Sequence, residues 1–373
     1  MARATLTTRE LNRATLARQL LLDRAEIPVP EAVERLGGLQ AQEPKPPFIG
    51  LWTRLAGFRE ADLARALHDR AVVRATMMRG TLHLATASDY AAFRTPLQPM
   101  LMRAMASALR DRSQGLEPDA VLPVARELLN QRPRPFDELR TLLQEAFPDV
   151  NHRALGYAVR MLLPLVMVPT GERWAFPRVA DFTLAESWLD RAVNPEQAPD
   201  DLVLRYLGAF GPASAADMQA WSGLGGIKAV LEGLRPRLES FADEAGRELF
   251  DLPDAPRPGE SVPAPPRFLP EFDSLLLAHA DRARVISDEH RPVVVTKNLR
   301  VRATFLLDGF VAGTWEIKRT RRVATLTVTP FAAPAQRDGA ALKAEGSALL
   351  GFTDGDVEAH EVVVADPVPG VAG

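Results

Sequence analysis

Two glutamines lie one residue apart near the start of the chain, in the segment Gly38-Leu39-Gln40-Ala41-Gln42-Glu43. A Gly-Gly pair precedes them and Pro44 follows, so an irregular turn is expected. Extended backbone there would place Gln40 and Gln42 on the same side. Each amide offers two N–H donors and one carbonyl acceptor, so the pair can hold one water molecule from two directions. Because an amide cannot take that water's proton as a carboxylate would, the pair suits a reaction whose leaving group departs readily. The same spacing is also typical of solvated turn residues.

The composition is that of a globular protein without cysteine chemistry. The chain has 373 residues, enough for two to four domains, with 46% hydrophobic and 25% charged residues. The absence of cysteine excludes disulfides, thiolate zinc sites and a cysteine nucleophile. The six histidines are scattered, without the spacing of metal ligands. We therefore expect neither a metal ion nor another cofactor.

The sequence contains no segment that is predicted to enter or cross a membrane. No apolar run approaches the roughly 20 residues that span a bilayer. The first ten residues lack the apolar core of a signal peptide. The sequence thus predicts a cytoplasmic protein.

Charge is unevenly distributed along the chain, although the net charge is only −3. Residues 239–260 contain seven acidic and two basic side chains, whereas residues 291–322 contain eight basic and two acidic ones. Such polarity lets one surface meet phosphates while another repels them. The basic segment is equally compatible with a solvated hairpin surface.

A unit of three helices and a hairpin is predicted from 117 to 176. Helices are expected over 117–129, over 136–147 and after Asn151, a suitable N-cap residue. Apolar strands at 165–168 and 174–176 flank a turn at 170–173. Three short helices followed by a two-stranded hairpin is the winged-helix plan.

The same order recurs in two other parts of the chain. From 199 to 252, helices are predicted over 201–210, 214–221 and 226–234, and strands over 238–241 and 248–252. A less regular copy of the same order fits residues 6–86, with its last helix over 60–68 and its strands at 72–74 and 81–84. Gln40 and Gln42 lie just before the middle segment of that first copy.

Winged helices commonly bind DNA through the third helix, which enters the major groove, and others serve only as protein–protein modules. In the second copy this helix carries His152, Arg153 and Arg160, which makes it the best candidate for DNA contact. The hairpin of the copy at 199–252 is acidic, so that copy is predicted to be a scaffold.

The last third of the chain changes character after the proline-rich segment 253–266. Strands at 304–307 and 310–313 flank Asp308-Gly309, a strong hairpin signal. A second pair of strands, 314–317 and 323–328, flanks a turn with the basic residues Lys318, Arg319, Arg321 and Arg322. We predict a small antiparallel β-barrel whose basic hairpin neutralises DNA phosphates, although these residues also suit a soluble loop tip.

Together these patterns predict an α+β fold of tandem winged helices, three in number, followed by the barrel. The expected domains are 1–95 with the two glutamines, 96–190, 191–256, and 257–373 with the basic hairpin.

Four segments carry a recognisable pattern. They are Gly-Leu-Gln-Ala-Gln-Glu-Pro with Pro-Phe-Ile-Gly-Leu-Trp within 38–52, Met-Arg-Gly-Thr-Leu-His at 78–83, Phe-Leu-Pro-Glu-Phe-Asp at 268–273, and Asp-Gly-Phe-Val-Ala-Gly-Thr-Trp at 308–315. In this order they resemble the winged-helix DNA glycosylases of the AlkZ type, the azinomycin-resistance enzymes and their relatives. The resemblance covers nearly the whole chain.

The resemblance implies winged helices and a β-barrel arranged around duplex DNA. It implies hydrolysis of the N-glycosidic bond of cationic N7-alkylated purines, including interstrand crosslinks in some members. The family's catalytic Gln-x-Gln falls on Gln40 and Gln42, whereas a sister branch has Gln-x-Asp there. An N7-alkylguanine is positively charged and leaves as a neutral base, which fits two amides that only orient water. We expect no activity on undamaged bases.

The neighbours of the two glutamines have open roles. Glu43 is either an electrostatic support for the developing cation or a surface carboxylate. Arg79 and His83 either face the same cleft or belong to the core. We expect a monomer that acts on duplex DNA bearing alkylated purines.

Two rival classes of protein share this fold plan. A winged-helix transcription regulator would be a dimer on a palindromic site, and nothing in the sequence resembles a dimerisation helix or an effector pocket. A non-catalytic DNA-binding protein would have kept the fold without the activity, and the presence of both Gln40 and Gln42 argues against it.

Overall fold

The computed structural model describes residues 3–296 and 300–368. No helix among these residues is both long and apolar enough to span a bilayer. Lys297, which belongs to the basic segment 291–322, lies outside the described residues.

The first part of the chain ends with a hairpin. Its elements are β1 (Thr5–Leu6), α1 (Thr8–Arg18), α2 (Val29–Arg35), β2 (Leu39–Gln40), α3 (Lys45–Trp52), α4 (Glu60–His68), β3 (Val72–Thr76) and β4 (Leu82–Thr86). Helix α1 starts at a capping box, in which Thr7 Oγ1 accepts the Glu10 N–H at 3.1 Å and the Glu10 carboxylate accepts the Thr7 N–H at 2.8 Å. The predicted helix at 60–68 and the predicted hairpin are confirmed.

The second part contains the next hairpin. Its elements are α5 (Ala87–Phe93), α6 (Gln98–Leu109), α7 (Pro118–Gln131), β5 (Arg134–Pro135), α8 (Phe136–Ala146), α9 (His152–Leu162), β6 (Leu165–Met167), β7 (Asp181–Leu184) and α10 (Ala185–Leu189). The three predicted helices are observed, but the prediction of a strand at 174–176 is wrong. Trp174 and Ala175 have φ angles of 68° and 62°, which are left-handed and incompatible with a strand. Strand β6 pairs instead with β7 on one side and with β3 on the other.

The third part follows the predicted order closely. Its elements are α11 (Asp200–Phe210), α12 (Ala215–Ser222), α13 (Ile227–Leu234), β8 (Glu239–Asp243) and β9 (Glu248–Asp251). Ser214 is the N-cap of α12, since its hydroxyl accepts the Asp217 N–H at 3.3 Å and the Asp217 carboxylate accepts the Ser214 N–H at 2.9 Å.

The last part forms a sheet that stays open. Its elements are β10 (Arg267–Leu269), α14 (Arg291–Val294), β11 (Thr304–Leu307), β12 (Phe310–Arg319), β13 (Val323–Pro330), α15 (Gln336–Thr353) and β14 (Ala359–Val364). The strands follow the order β10-β11-β12-β13-β14, and within the described residues β10 and β14 do not pair with each other. The prediction of a β-barrel is therefore wrong.

A crossover helix explains why this sheet does not close. Strand β14 pairs parallel to β13, so the chain must cross the sheet between them, and it does so as α15. Leu342 and Leu349 of α15 are buried together with Phe305 and Leu326 of the sheet. The helix covers this face as one layer of a two-layer structure and leaves the two edge strands apart.

The hairpins of the first two parts form one sheet of six strands, in the order β2-β4-β3-β6-β7-β5. A second sheet combines β1 with β8 and β9, so the start of the chain completes the sheet of the third part. The α+β class is confirmed, whereas the number of winged helices and the domain boundaries stay predictions. The shared six-stranded sheet positions Gln40, which lies in β2.

Candidate active site

The turn with the two glutamines is set against strand β4 by the glycines that precede it. Gly38 has a φ of 84°, and a Cβ atom there would lie 2.9 Å from the carbonyl oxygen of Leu84. Only glycine fits this combination of left-handed backbone and close approach. As a result β2 runs beside β4, with Gln40 directly opposite His83.

Gln40 is nearly buried and is held by an arginine. The residue is 8% exposed, and its Oε1 atom accepts a hydrogen bond from Arg79 Nη2 at 2.8 Å. A guanidinium can only donate, so this contact also determines which end of the amide is the oxygen. The two hydrogens of Gln40 Nε2 are donated to no acceptor within the described part of the chain.

Gln42 is exposed and is held by backbone. Its Oε1 atom accepts the N–H of Leu82 at 3.2 Å. Both glutamine amides therefore meet the same segment, residues 79–82, and both present their N–H donors to the surroundings. Because each carbonyl oxygen keeps a second lone pair, the two amides can bind a small polar molecule such as water by donating and accepting.

Arg79 links this site to the third part of the chain. Its backbone is left-handed, with φ of 55° and ψ of 15°, and its Nη1 atom donates to the carbonyl oxygen of Trp221 at the end of α12. Burial lowers the pKa of its guanidinium to about 10, so it remains a cation at neutral pH. Arg79 thus contacts the candidate catalytic amide, and its part in any chemistry stays a prediction.

Arg74 holds the backbone of the same turn, a contact that the sequence analysis missed. It is 3% exposed and donates from Nε to the carbonyl oxygen of Ala41 at 2.9 Å and from Nη2 to that of Gln42 at 3.0 Å. Its guanidinium lies 4.9 Å from the ring centre of Phe176. Burial lowers its pKa to about 10. The available signal was a charged residue inside the mostly apolar strand Val-Val-Arg-Ala-Thr of β3.

His83 is a buried neutral residue beside Gln40. It is 1% exposed, and its Nδ1 atom lies 3.0 Å from the carbonyl oxygen of Thr81, which requires a proton on Nδ1. Burial, with a smaller contribution from the Arg79 cation, lowers its pKa to about 3. Of the two alternatives for His83, the structure favours the core.

Acid is expected to destabilise the protein through His83 and His279. Burial also lowers the pKa of His279 to about 3, against 6.5 in an unfolded chain. Below pH 6.5 the unfolded chain binds more protons than the folded one, so the free energy of unfolding falls as pH falls. Each histidine then lowers the free energy of unfolding by on the order of 1 kcal/mol for each pH unit below 6.5. Urea unfolding at pH 7.5 and pH 5.5 measures this change.

The variant His83→Asn isolates the first of these residues. Asparagine retains an N–H donor for the Thr81 carbonyl but does not titrate. Between pH 7.5 and pH 5.5, the free energy of unfolding of this variant is expected to fall by ~1 kcal/mol less than that of the wild type. An identical pH dependence in the two proteins would show that His83 does not cause the acid sensitivity.

Glu43 lies at the rim of a cavity of about 330 Å³ next to the turn. The cavity separates the turn and the start of α3 from strand β12, and Trp315 and Glu316 line its far side. Glu43 is exposed and adjacent to the Arg74 cation, which interacts with it electrostatically. These observations are compatible with both roles considered for Glu43.

The residues predicted to bind DNA lie outside this turn. His152 and Arg153 are exposed in the first turn of α9, where the Asn151 side chain caps the helix by accepting the Arg153 N–H at 3.0 Å. In the basic hairpin, three of the four predicted residues are in ion pairs: Lys318 with Glu316 at 2.9 Å, Arg319 with Asp356 at 2.6 Å, and Arg322 with Glu358 at 2.8 Å. The tip is therefore less positive than its sequence indicates.

No group of three or more His, Asp or Glu side chains among the described residues is arranged to hold a metal ion.

Comparison with known proteins gives a consistent result. The family model described as "DNA glycosylase AlkZ-like" matches residues 33–352. The curated protein "Interstrand DNA cross-link repair glycosylase" of Streptomyces sahachiroi is 26% identical, and the match covers 85% of this chain and 88% of that protein. The solved structure of Streptomyces sahachiroi DNA glycosylase AlkZ superposes with a TM-score of 0.79 at 23% identity, over 97% of this chain and 100% of that one. This last likeness shows that the two chains share a fold.

Proposed function

Since this chain belongs to the AlkZ-like DNA glycosylase family, we propose that it hydrolyses the N-glycosidic bond of cationic N7-alkylated purines in duplex DNA. Gln40 and Gln42 position the attacking water, and no metal ion or other cofactor takes part. The family match supports a DNA glycosylase, and the nature of the site supports the choice of lesion.

The observation that carries the proposal is the way in which the two amides are held. Each carbonyl oxygen accepts one hydrogen bond from the segment 79–82, and the N–H donors of both amides meet no acceptor among the described residues. Water held by these groups is oriented toward C1′ of the sugar but is not deprotonated by them. A positioned general base commonly contributes about 10²–10⁴-fold to a rate. Without one, the leaving group must be unusually good.

A cationic purine is such a leaving group. Alkylation at N7 puts a positive charge on the base, and cleavage of the bond to C1′ moves the bonding electrons onto the base and neutralises it. The positive charge passes to the sugar as an oxocarbenium ion. The oriented water adds to C1′ and then loses one proton to bulk water, which leaves a neutral hydroxyl group on the sugar. The Glu43 carboxylate stabilises this developing charge from the rim of the site.

We extend the proposal to interstrand crosslinks, the substrate named for the Streptomyces sahachiroi relative. A crosslinked base is tethered to the opposite strand and cannot rotate freely into an enclosed pocket. The exposed position of Gln42 suits attack on a base that stays close to the duplex.

The experiment is base release from a duplex that contains one N7-methylguanine, followed by alkaline cleavage of the abasic site. Release from this duplex but not from an undamaged one or from one with neutral hypoxanthine is expected. A duplex with a nitrogen-mustard crosslink between N7 atoms tests the extension separately. A protein that binds all of these duplexes and releases base from none is a non-catalytic DNA-binding protein, and the proposal would then be wrong.

A further inference from the structure

A cleft with an unusual combination of side chains lies between α8 and α9. Its volume is about 260 Å³, and its walls carry planar rings and guanidinium groups from Phe136, Arg140, Arg153, Tyr157 and Arg160. Rings and guanidinium groups together are typical of sites for unstacked nucleotides, since rings stack on bases and guanidinium groups bind phosphates.

One face of α9 builds most of this cleft. Arg153, Tyr157 and Arg160 follow one another at intervals of four and three residues, so they form a single stripe along the helix, and Gly156 lies three residues after Arg153 and four before Arg160 on the same side. An aromatic ring is thus placed between two cations, with a glycine beside it. Tyr157 is half-buried and Arg153 is exposed, so both are accessible.

The close contact of the Arg140 side chain with α9 explains why residue 156 is a glycine. A glycine inside a helix costs about 1 kcal/mol relative to alanine. A Cβ atom at this position would lie only 2.7 Å from Cδ and 3.0 Å from Cγ of Arg140. The glycine therefore lets the Arg140 side chain cross α9 closely. The Nε atom of Arg140 is buried there and has no hydrogen-bond partner among the described residues.

The cleft adjoins the candidate active site through a short series of contacts. Arg160 Nε donates to Thr76 Oγ1 at 3.2 Å. Thr76 is paired with Leu82 across β3 and β4, and the Leu82 N–H is the group that holds Gln42. A nucleotide in the cleft would therefore lie next to DNA bound at the two glutamines.

We propose that this cleft binds an unpaired nucleotide of the DNA, with its base stacked on Tyr157 and its phosphates held by Arg153 and Arg160. The inference rests on the proposed action on DNA. A paired base has both faces covered by its neighbours, so only an unstacked one can use the ring. The nucleotide comes either from opposite the lesion or from the position beside it.

The test compares binding of three labelled duplexes by fluorescence anisotropy. One is fully paired, one has an unpaired nucleotide opposite an abasic-site analogue, and one has a single-nucleotide bulge. The wild type is expected to bind one of the unpaired duplexes about tenfold more tightly than the paired one, and the preferred duplex identifies the source. Tyr157→Ala removes this preference, and the matched control Tyr157→Phe, which retains the ring, keeps it.

Arg153→Ala provides a second variant at an exposed position, where loss of folding is not expected. It lowers the affinity and reduces the slope of log K against log salt by about 0.9, the amount for one phosphate contact. Equal wild-type affinity for all three duplexes, or an unchanged preference in Tyr157→Ala, would overturn the inference. The readout is binding, so this test does not depend on base release. A protein that releases no base but shows the Tyr157-dependent preference would contradict the proposed glycosylase activity and support nucleotide binding in the cleft.

Discussion

Replacing Gln40 or Gln42 by alanine is expected to lower the single-turnover rate of base release from the N7-methylguanine duplex by about 10²-fold. Removing one preorganised hydrogen-bonding group from an active site typically has an effect of this size. Gln40→Ala also leaves Arg79 Nη2 without this acceptor in a half-buried position. DNA affinity should change little, because water rather than DNA is the proposed ligand of the amides.

Two further variants separate chemistry from structure. Gln40→Glu retains an oxygen for Arg79 but replaces the N–H donors, so it is expected to be impaired although its contact with Arg79 persists. Gln98→Ala alters a half-buried glutamine that binds Arg94 and the Met161 carbonyl away from the site, and its rate should equal that of the wild type. Wild-type rates for both Gln40→Ala and Gln42→Ala would show that these amides do not position the water.

The sequence alone identified the two glutamines but not what holds them. Their spacing and their glycine and proline neighbours are local features, and local features predict a turn. The pairing of Gln40 with His83 depends on β2, which has only two residues and no strand signal of its own. Arg74 and Arg79 reach the turn from positions more than 30 residues away, and no periodic pattern encodes such a contact.

The errors in the predicted fold have the same origin. Strand-like composition at 174–176 is overridden by left-handed backbone at Trp174 and Ala175. In the last part, the strands at 304–307 and 323–328 were predicted correctly, whereas the predicted strands 310–313 and 314–317 are the single strand β12, and neither β10 nor β14 was predicted. Whether a sheet closes depends on how its edges are connected, which α15 decides. Likewise, the acidic partners Asp356 and Glu358 of the basic hairpin follow α15, far from the hairpin in sequence.

The segment 268–273, one of the four that suggested the family, ends in a residue with a structural role. Asp273 forms a bidentate ion pair with Arg54, at 2.9 Å and 2.8 Å, and both side chains are 1% exposed. Arg54 also donates to the carbonyl oxygens of Gln19 and Gly50 at 3.0 Å. The pair therefore fastens the end of α3, the helix that follows the glutamine turn, to α1 and to the last part of the chain.

Arg54→Met is accordingly expected to lower the free energy of unfolding by about 3–5 kcal/mol, measured by urea unfolding at pH 7.5. Methionine preserves much of the side-chain volume but leaves the Asp273 carboxylate buried without its cation, which is the costly outcome for a buried pair. Asp273→Asn in the same chain removes that charge and should recover part of the loss, because the two residues are directly coupled.

The exposed pair of Arg35 and Glu31 supplies the control for this prediction. These side chains are 55% and 43% exposed and lie 2.6 Å apart. Water screens and solvates both charges, so Arg35→Met should change the free energy of unfolding by less than about 0.5 kcal/mol. Similar losses for Arg35→Met and Arg54→Met would mean that removal of any arginine is equally costly and that burial is not the cause. A large loss confined to Arg54→Met, with recovery in the double variant, would show that the buried ion pair holds α3 behind the glutamine turn.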